Sequence, residues 1–380
     1  MAVKLFNEYC CTKKRSKPKN EVYVLISAAS HEEGENIGRT LKLLEEQNIN
    51  QDEYLIVVFC NKPFNAIDIT TSYIDQKICN LINIGHSWSK EELPMVNMGR
   101  VKKVNADFAM LLAASHNALD PIFISLDADI INCSKSLVET YTRMFRSNDQ
   151  PFSILGKVDW DKYEINDLFR VGIRIFQYID AFDRHAGSTS NNLLAKFPRV
   201  IESNGCNFAF KGSVYCKVNG FDPKQDLQNC IVGCEADFGY RLQDIYHPYQ
   251  AMKYGGKGTY VVTSSRRGVI TFNNGLAPHE MWRSWGKLGS EGRKLEILKP
   301  FKASQDPVRF QLESERIFNR TISSNFGENC LTGSQKEIYS ELVKKLALLM
   351  GFKVETKSSY VTIVNVDKIL QRLNELLIRE

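Results

Sequence analysis

Short apolar, β-branched runs alternate with helical-period segments along the first 150 residues, and that alternation narrows the available folds more than any other feature. Val22 to Ser27 is such a run, and Gly34 to Glu46 follows it with Ile37, Leu41 and Leu44 at helical spacing. Tyr54 to Phe59 is a second run, Val104 to Ala114 reads as a helix after a polar loop, and Pro121 to Leu126 is a third run before a helix from about Lys135 to Arg146. Runs apolar throughout, each leading to a helix, are what a parallel sheet covered on both faces requires. The expected fold is therefore α/β, a mostly parallel sheet sandwiched by helices. In such sheets ligands bind outside the carboxyl ends of the strands, so chemistry is sought just after Ser27, Phe59 and Leu126.

With 380 residues, 43% of them hydrophobic, the chain can bury a substantial core. Its formal charge of +5, from 49 basic against 44 acidic residues, is small and scattered, which argues against a nucleic-acid partner. No apolar run approaches the roughly 18 to 20 residues of a membrane span, and residues 1–20 lack a signal-peptide core, so a cytoplasmic location is expected. Residues 1–20 instead read as a basic, solvated tail able to touch the inner face of a membrane. The ten cysteines form no C-x-x-C pair and read as reduced thiols; Cys230, Cys234 and His247 lack a fourth zinc ligand. The expected organisation is the tail, a catalytic domain over 21–300 and an accessory segment over 301–380. That segment has a helix near Gln335 to Leu349, a strand near Tyr360 to Val364 and a helix near Val366 to Ile378. The Gly- and Asn-containing stretch from Asp183 to Phe197 reads as a surface loop.

The apolar run Ile122–Leu126 leads directly into Asp127-Ala128-Asp129. Two hard oxygen ligands at a strand end suit Mg²⁺ or Mn²⁺; the alternative is that one of them caps the next helix. Ser136 and Glu139 have the spacing of a capping box, which would supply that cap without either aspartate. Further on, Gly233-Cys-Glu235-Ala-Asp237-Phe-Gly-Tyr-Arg241-Leu242 reads as a helix start. Asp237 and Arg241 are four apart and can pair on the surface, whereas Glu235 shares an inward face with Phe238 and Leu242. An acid so placed either meets a partner or opens to a cleft as a general base. Gly205 permits close backbone approach, Asn207 offers a ligand contact, and Gly255-Gly-Lys-Gly258 lacks the spacing of a phosphate loop.

The stretch from Gly205 through Asn207, Ala209-Phe210 and Tyr215 to Gly220-Phe221-Asp222 resembles the G-x-N-x-A-F run of family 2 glycosyltransferases. The order of motifs is similar as well. The first strand with the acid-rich loop His31–Ile37, the Gly99–Asn105 stretch, the D-x-D, the G-x-N run and the acidic helix start follow one another over residues 21–290. The resemblance implies an A-type glycosyltransferase fold with a small C-terminal α/β extension. It also implies inverting, metal-assisted transfer of a sugar from a nucleotide-diphosphate sugar, with a UDP-sugar favoured, to a carbohydrate or lipid-linked acceptor. Asp127 and Asp129 take the D-x-D role, with Asp129 the direct ligand of Mn²⁺ or Mg²⁺ and His279 a third ligand or, with Trp282 and Trp285, part of an aromatic core. Glu33, Asn61, Arg100 and Asn105 fall in the donor pocket, with Asn61 where the family has an aspartate. Gly205 and Asn207 border the transferred sugar, and Arg266 and Arg267 face the leaving diphosphate. Glu235 stands where the family shows an aspartate base, with Asp237 the next carboxylate. A catalytically inactive sugar- or protein-binding relative is the rival reading. A nucleotidyltransferase is a weaker one, because Ala28 to Glu35 is acidic where such enzymes carry a basic, glycine-rich loop.

Overall fold

A computed structural model describes residues 1–12, 16–74, 78–92, 98–147, 150–161, 166–170, 172, 206–221, 234–246, 252–264, 269, 301–310, 312–314, 316–317, 352–354 and 361–363. The chain divides into two compact units, one of Met1–Asp161 with Ile201–Ser264, the other of Lys162–Val200 with Ser265–Glu380.

In chain order the first unit contains α1 (Ala2–Thr12), β1 (Val22–Ala29), α2 (Glu35–Glu45), β2 (Tyr54–Lys62), β3 (Leu81–Ser87), α3 (Met98–Ser115), β4 (Ile122–Asp127) and β5 (Ile130–Cys133). It continues with α4 (Leu137–Arg146), β6 (Ser153–Leu155), β7 (Val158–Trp160), β8 (Asn207–Lys211), α5 (Gly212–Lys217), α6 (Cys234–Ile245), β9 (Met252–Tyr254) and β10 (Val261–Thr263). Seven strands form the main sheet in the order β3-β2-β1-β4-β8-β6-β9. β1, β2, β3 and β4 are mutually parallel, β8 runs against both β4 and β6, and β6 is parallel to β9.

The central strands are apolar throughout because both faces are covered. Tyr23 and Leu25 of β1 and Leu55, Val57 and Phe59 of β2 pack with Phe108 and Leu112 of α3 and Phe238 and Leu242 of α6. Val22, Val24 and Ile26 of β1 and Ile56 and Val58 of β2 pack with Ile37 and Leu41 of α2 and Leu137 and Tyr141 of α4. Each fully buried aliphatic or phenyl side chain contributes about 1.5–3 kcal/mol of hydrophobic stabilisation. Under β8 the rings of Phe208, Phe210, Phe221 and Phe238 stand 5.2–5.9 Å apart. A smaller sheet, β5-β10-β7, lies beside the end of β4, with β10 antiparallel to β5 and parallel to β7.

Three local expectations are corrected. Residues 2–12 are helical rather than a solvated tail: Ala2 and Leu5 are buried, and the rings of Phe6 and Tyr9 meet Phe108 of α3 edge-on at 6.1 and 5.8 Å. α3 begins at Met98, six residues before the helix read from the sequence, because this end of the helix is covered and even Lys102 is buried. Ser136 makes no side-chain cap; instead Gln47, beyond the end of α2, accepts a bond from Val138 N at 3.2 Å and so satisfies one of the free donors of α4.

In the second unit, Asn166 Oδ1 accepts from Phe169 N at 2.9 Å, and Asp167 receives Ala303 N at 2.8 Å. β11 (Phe352–Val354) and β12 (Val361–Ile363) form an antiparallel pair. β12 falls where the C-terminal strand is expected. The expected loop 183–197 and the helices over 335–349 and 366–378 lie outside the described residues.

Candidate functional site

Because β1, β2, β3 and β4 run in parallel, their carboxyl ends share one edge. Ser27 stands opposite Asp127, Ala29 opposite Asn61, and Asn61 opposite His86. β8 enters that edge from the other direction, with Asn207 opposite Leu126. The acids of the D-x-D thus emerge between the ends of β1 and β8, as the strand pattern predicts.

Asp127 closes β4, with 21% of its side chain exposed. Asp129, two residues on, is buried; Thr263 Oγ1 donates to its Oδ1 at 3.2 Å, and Ser264 N donates to its backbone oxygen at 3.2 Å. The small sheet explains this contact, since β10 delivers Thr263 opposite Ile130. Cys206, the residue before β8, binds Asp127 N through its backbone oxygen at 3.4 Å. Its thiol is pushed well above the ordinary range, first by burial and then by the negative charges of Asp127 and Asp129. One thiol therefore feels both carboxylates.

Loop residues after β1 complete this side of the edge. Ser30 N donates to Asn61 O at 2.9 Å, and Asn61 Nδ2 returns a bond to Ala28 O at 2.9 Å. Glu33 is buried and lies 3.5 Å from Asn36 Nδ2; Gly34, at φ 43°, turns the chain into α2. Asn105 reaches up from α3 and donates to Ile26 O at 3.0 Å and Ser27 Oγ at 3.4 Å. Ser30 Oγ, His31 Nδ1 and Asn105 Oδ1 are buried without a hydrogen-bond partner among the described residues. Buried polar atoms are nearly always paired, so three orphans around the end of β1 leave hydrogen-bonding capacity there for a polar ligand or ordered water. Arg100 lies on the β3 side, its guanidinium 5.0 Å over the Trp88 ring and 3.9 Å from Glu92.

Two of the sequence assignments are corrected by these contacts. Asn207 is fully buried: Tyr141 donates to its Oδ1 at 2.6 Å, and its Nδ2 donates to Lys157 O at 3.1 Å and Thr259 O at 2.6 Å. With its amide so occupied it is a strut between β8, α4 and the segment before β10, not a sugar contact. Asp237 does pair with Arg241, at 2.6 and 2.9 Å, but the carboxylate is buried rather than on the surface, and Arg241 also binds Val218 O. The pair ties α6 to the turn after α5. Glu235 lies in the first turn of α6, and its side chain is outside the described residues, as are Gly205, Arg266, Arg267 and His279.

The charged residue at this edge that sequence reading missed is Lys102. Its ammonium stands 3.8 Å from Asp127 Oδ1, with 5% of the side chain exposed. The available signal was spacing, since Lys102 precedes Asn105 by three and so shares its helix face. Two of the three glycines of 255–258 find their reason in packing: a Cβ on Gly258 would sit 2.4 Å from Thr140 Oγ1, and one on Gly255 would sit 2.0 Å from Thr259 Oγ1, whereas one on Gly256 would meet nothing within 4 Å.

Among the described residues no three His, Cys, Asp or Glu side chains gather as a metal cage. Two carboxylates at one strand end nevertheless fit Mg²⁺ or Mn²⁺ at a phosphate site, where one or two carboxylates hold the ion and water and substrate phosphates supply the remaining oxygens. No helix among the described residues is long and apolar enough to cross a membrane.

No protein-family model matches the chain, and no curated protein matches it. Among solved structures it is similar to a mannosyltransferase from Pyrobaculum calidifontis in complex with GDP-Man and Mn²⁺, at 11% identity and TM-score 0.42 over 100% of this chain and 94% of that one. It is also similar to residues 1–349 of TarS from S. aureus, at 11% identity and TM-score 0.39 over 86% and 80% of the two chains. A third is glucosyl-3-phosphoglycerate synthase from Mycobacterium tuberculosis in complex with Mn²⁺, UDP-glucose and phosphoglyceric acid, at 10% identity and TM-score 0.34 over 69% and 74%. At such scores the fold stands on the chain's own sheet, which is the mostly parallel, helix-sandwiched α/β arrangement that the sequence resemblance implies.

Proposed function

We propose that the chain is an inverting, metal-dependent glycosyltransferase of the family 2 type. It moves a sugar from a nucleotide-diphosphate sugar, with uridine the favoured nucleoside, to a hydroxyl of a carbohydrate or lipid-linked acceptor. The observation that carries this reading is the placement of Asp127 and Asp129 and of the orphaned Ser30, His31 and Asn105 atoms at the same carboxyl edge of a parallel sheet. The sequence resemblance supplies the reaction class.

In this reading the loop after β1, with Glu33, and the side chains of Asn61, Arg100 and Asn105 receive the nucleoside. Asp127 and Asp129 would hold Mn²⁺ or Mg²⁺, with His279 as the further ligand proposed from the sequence, and the ion would supply positive charge against the departing diphosphate. Arg266 and Arg267 bind the same diphosphate oxygens, and Gly205 lets the sugar approach the backbone. The acceptor oxygen forms a bond to the anomeric carbon as the bond from that carbon to the diphosphate oxygen breaks. Glu235 takes the acceptor's proton, and the configuration at the anomeric carbon inverts. A cytoplasmic location, in peripheral contact with the inner face of a membrane, is part of the same proposal.

The pairing of Asp127 with Lys102 favours a second reading, a relative that binds nucleotide or sugar without turnover. One experiment separates the two. The purified protein is offered a set of nucleotide sugars with Mn²⁺ or Mg²⁺, and donor hydrolysis, transfer and thermal stabilisation are recorded. Turnover that disappears in chelator and in Asp129→Asn supports the enzyme. Stabilisation without turnover supports the binding protein, and neither response from any donor rejects both.

A further inference from the structure

A lysine whose side chain is 5% exposed costs free energy unless an opposite charge meets it, and even a met pair seldom stabilises more than an apolar replacement would. Stability therefore gives little reason for Lys102. Its neighbours on α3, Val101, Val104, Asn105 and Ala106, are buried and uncharged, and Asp127 is the carboxylate 3.8 Å from its ammonium. That carboxylate is also the more open acid of the D-x-D, since Asp129 is turned into the small sheet by Thr263. The lysine thus delivers one fixed positive charge to the edge where the orphaned Ser30, His31 and Asn105 atoms lie. The two carboxylates alone would present a charge of −2 to an incoming ion, and with Lys102 the three groups present −1.

We propose that Lys102 is a positioning residue that sets the order in which the site fills. It weakens the grip of Asp127 and Asp129 on a divalent cation in the empty protein and strengthens attraction for a nucleoside diphosphate. The anion then binds first and brings with it the oxygens that complete the ion's shell. This rests on the donor-site reading above. One unit charge several ångström from a divalent ion, even when screened as in bulk water, shifts affinity by roughly tenfold or more. The shift has opposite signs for the cation and for the anion, which no loss of folding imitates.

The test is calorimetric titration with MnCl₂ alone, and with UDP alone in chelator, on wild type, Lys102→Met and Lys102→Arg, with melting temperatures taken alongside. Lys102→Met is expected to bind Mn²⁺ about tenfold more tightly and UDP about tenfold more weakly, while Lys102→Arg stays near wild type. Asp129→Asn, which removes Mn²⁺ binding, locates the ion at this site. Should the methionine variant fail to fold, Lys102→Gln is titrated in its place with the same expectation. If both affinities fall together, or neither changes while the wild type binds both, Lys102 is a structural residue and the inference is wrong. If the wild type itself binds neither UDP nor Mn²⁺, the donor-site reading falls, and this inference with it.

Discussion

Replacing Asn207 by alanine separates a strut from a ligand contact. The change deletes the acceptor of the Tyr141 hydroxyl and the donor to Thr259 O, both buried, and the donor to the part-buried Lys157 O, which still receives Val261 N. The two partners left buried without a bond cost about 1–3 kcal/mol each, so unfolding should become about 2–6 kcal/mol easier. That is a large part of the roughly 5–15 kcal/mol that a typical domain has. Tyr141→Phe leaves only Asn207 Oδ1 unpaired and should cost about 1–3 kcal/mol. The double variant should cost less than the sum of the singles by about 0.5–3 kcal/mol, because both remove the same bond. Gly156 closes over this pair, with a Cβ placed there only 2.0 Å from Asn207 Nδ2, so Gly156→Ala should destabilise as well. Urea unfolding gives the stabilities, and titration of still-folded protein with UDP and with a UDP-sugar gives the binding. Unchanged stability together with a loss of affinity for a UDP-sugar, beyond any change for UDP itself, in Asn207→Ala would refute the strut and return the amide to the sugar site.

Glu235→Gln should slow transfer by roughly 100- to 10,000-fold while donor affinity is kept, as product formation and calorimetry on the same variant would show. Asp237→Asn should cost less activity but about 1–3 kcal/mol of stability, because it breaks a buried, hydrogen-bonded ion pair with Arg241; equal or reversed activity losses would move the base to Asp237. Deleting residues 1–12 uncovers Phe108 and removes buried Ala2 and Leu5, so denaturant stability should fall by about 2–4 kcal/mol; an unchanged midpoint would restore the solvated tail. Burial pushes the Cys60 thiol up to about 12 and raises that of Cys206 well above its usual range. The thiolate fraction of both at pH 8 is therefore far below that of an ordinary cysteine. Iodoacetamide at that pH should modify the exposed Cys10, Cys11, Cys79 and Cys216 and spare Cys60 and Cys206. Peptide mass spectrometry reads the outcome, and prompt labelling of Cys206, which is partly exposed, would contradict the raised thiol.

The sequence alone determined β1, α2, β2, α3, β4 and α4 of the first 150 residues, because strands buried on both faces must be apolar throughout and the helices that cover them must be apolar at helical spacing. β1, β2 and β4 begin within one residue of where their apolar runs begin, and the aspartates at the end of β4 are legible because a strand that runs straight into two acids is a local pattern. β3 escaped that reading: it borders the sheet, and its Asn83, His86 and Ser87 interrupt the apolar signature. α1 escaped as well, since what makes it a helix worth keeping is Phe108, some 100 residues away on α3. Tertiary structure alone decided which polar groups meet. Lys102 finds Asp127 because α3 lies under the sheet, Thr263 finds Asp129 because β10 pairs with β5, and Asn207 is spent on Tyr141 because α4 packs against β8. Periodicity is a property of neighbours along the chain and survives in the sequence. A charge or an amide acquires its role from partners tens to more than a hundred residues away, and only the packing of the elements brings them within reach.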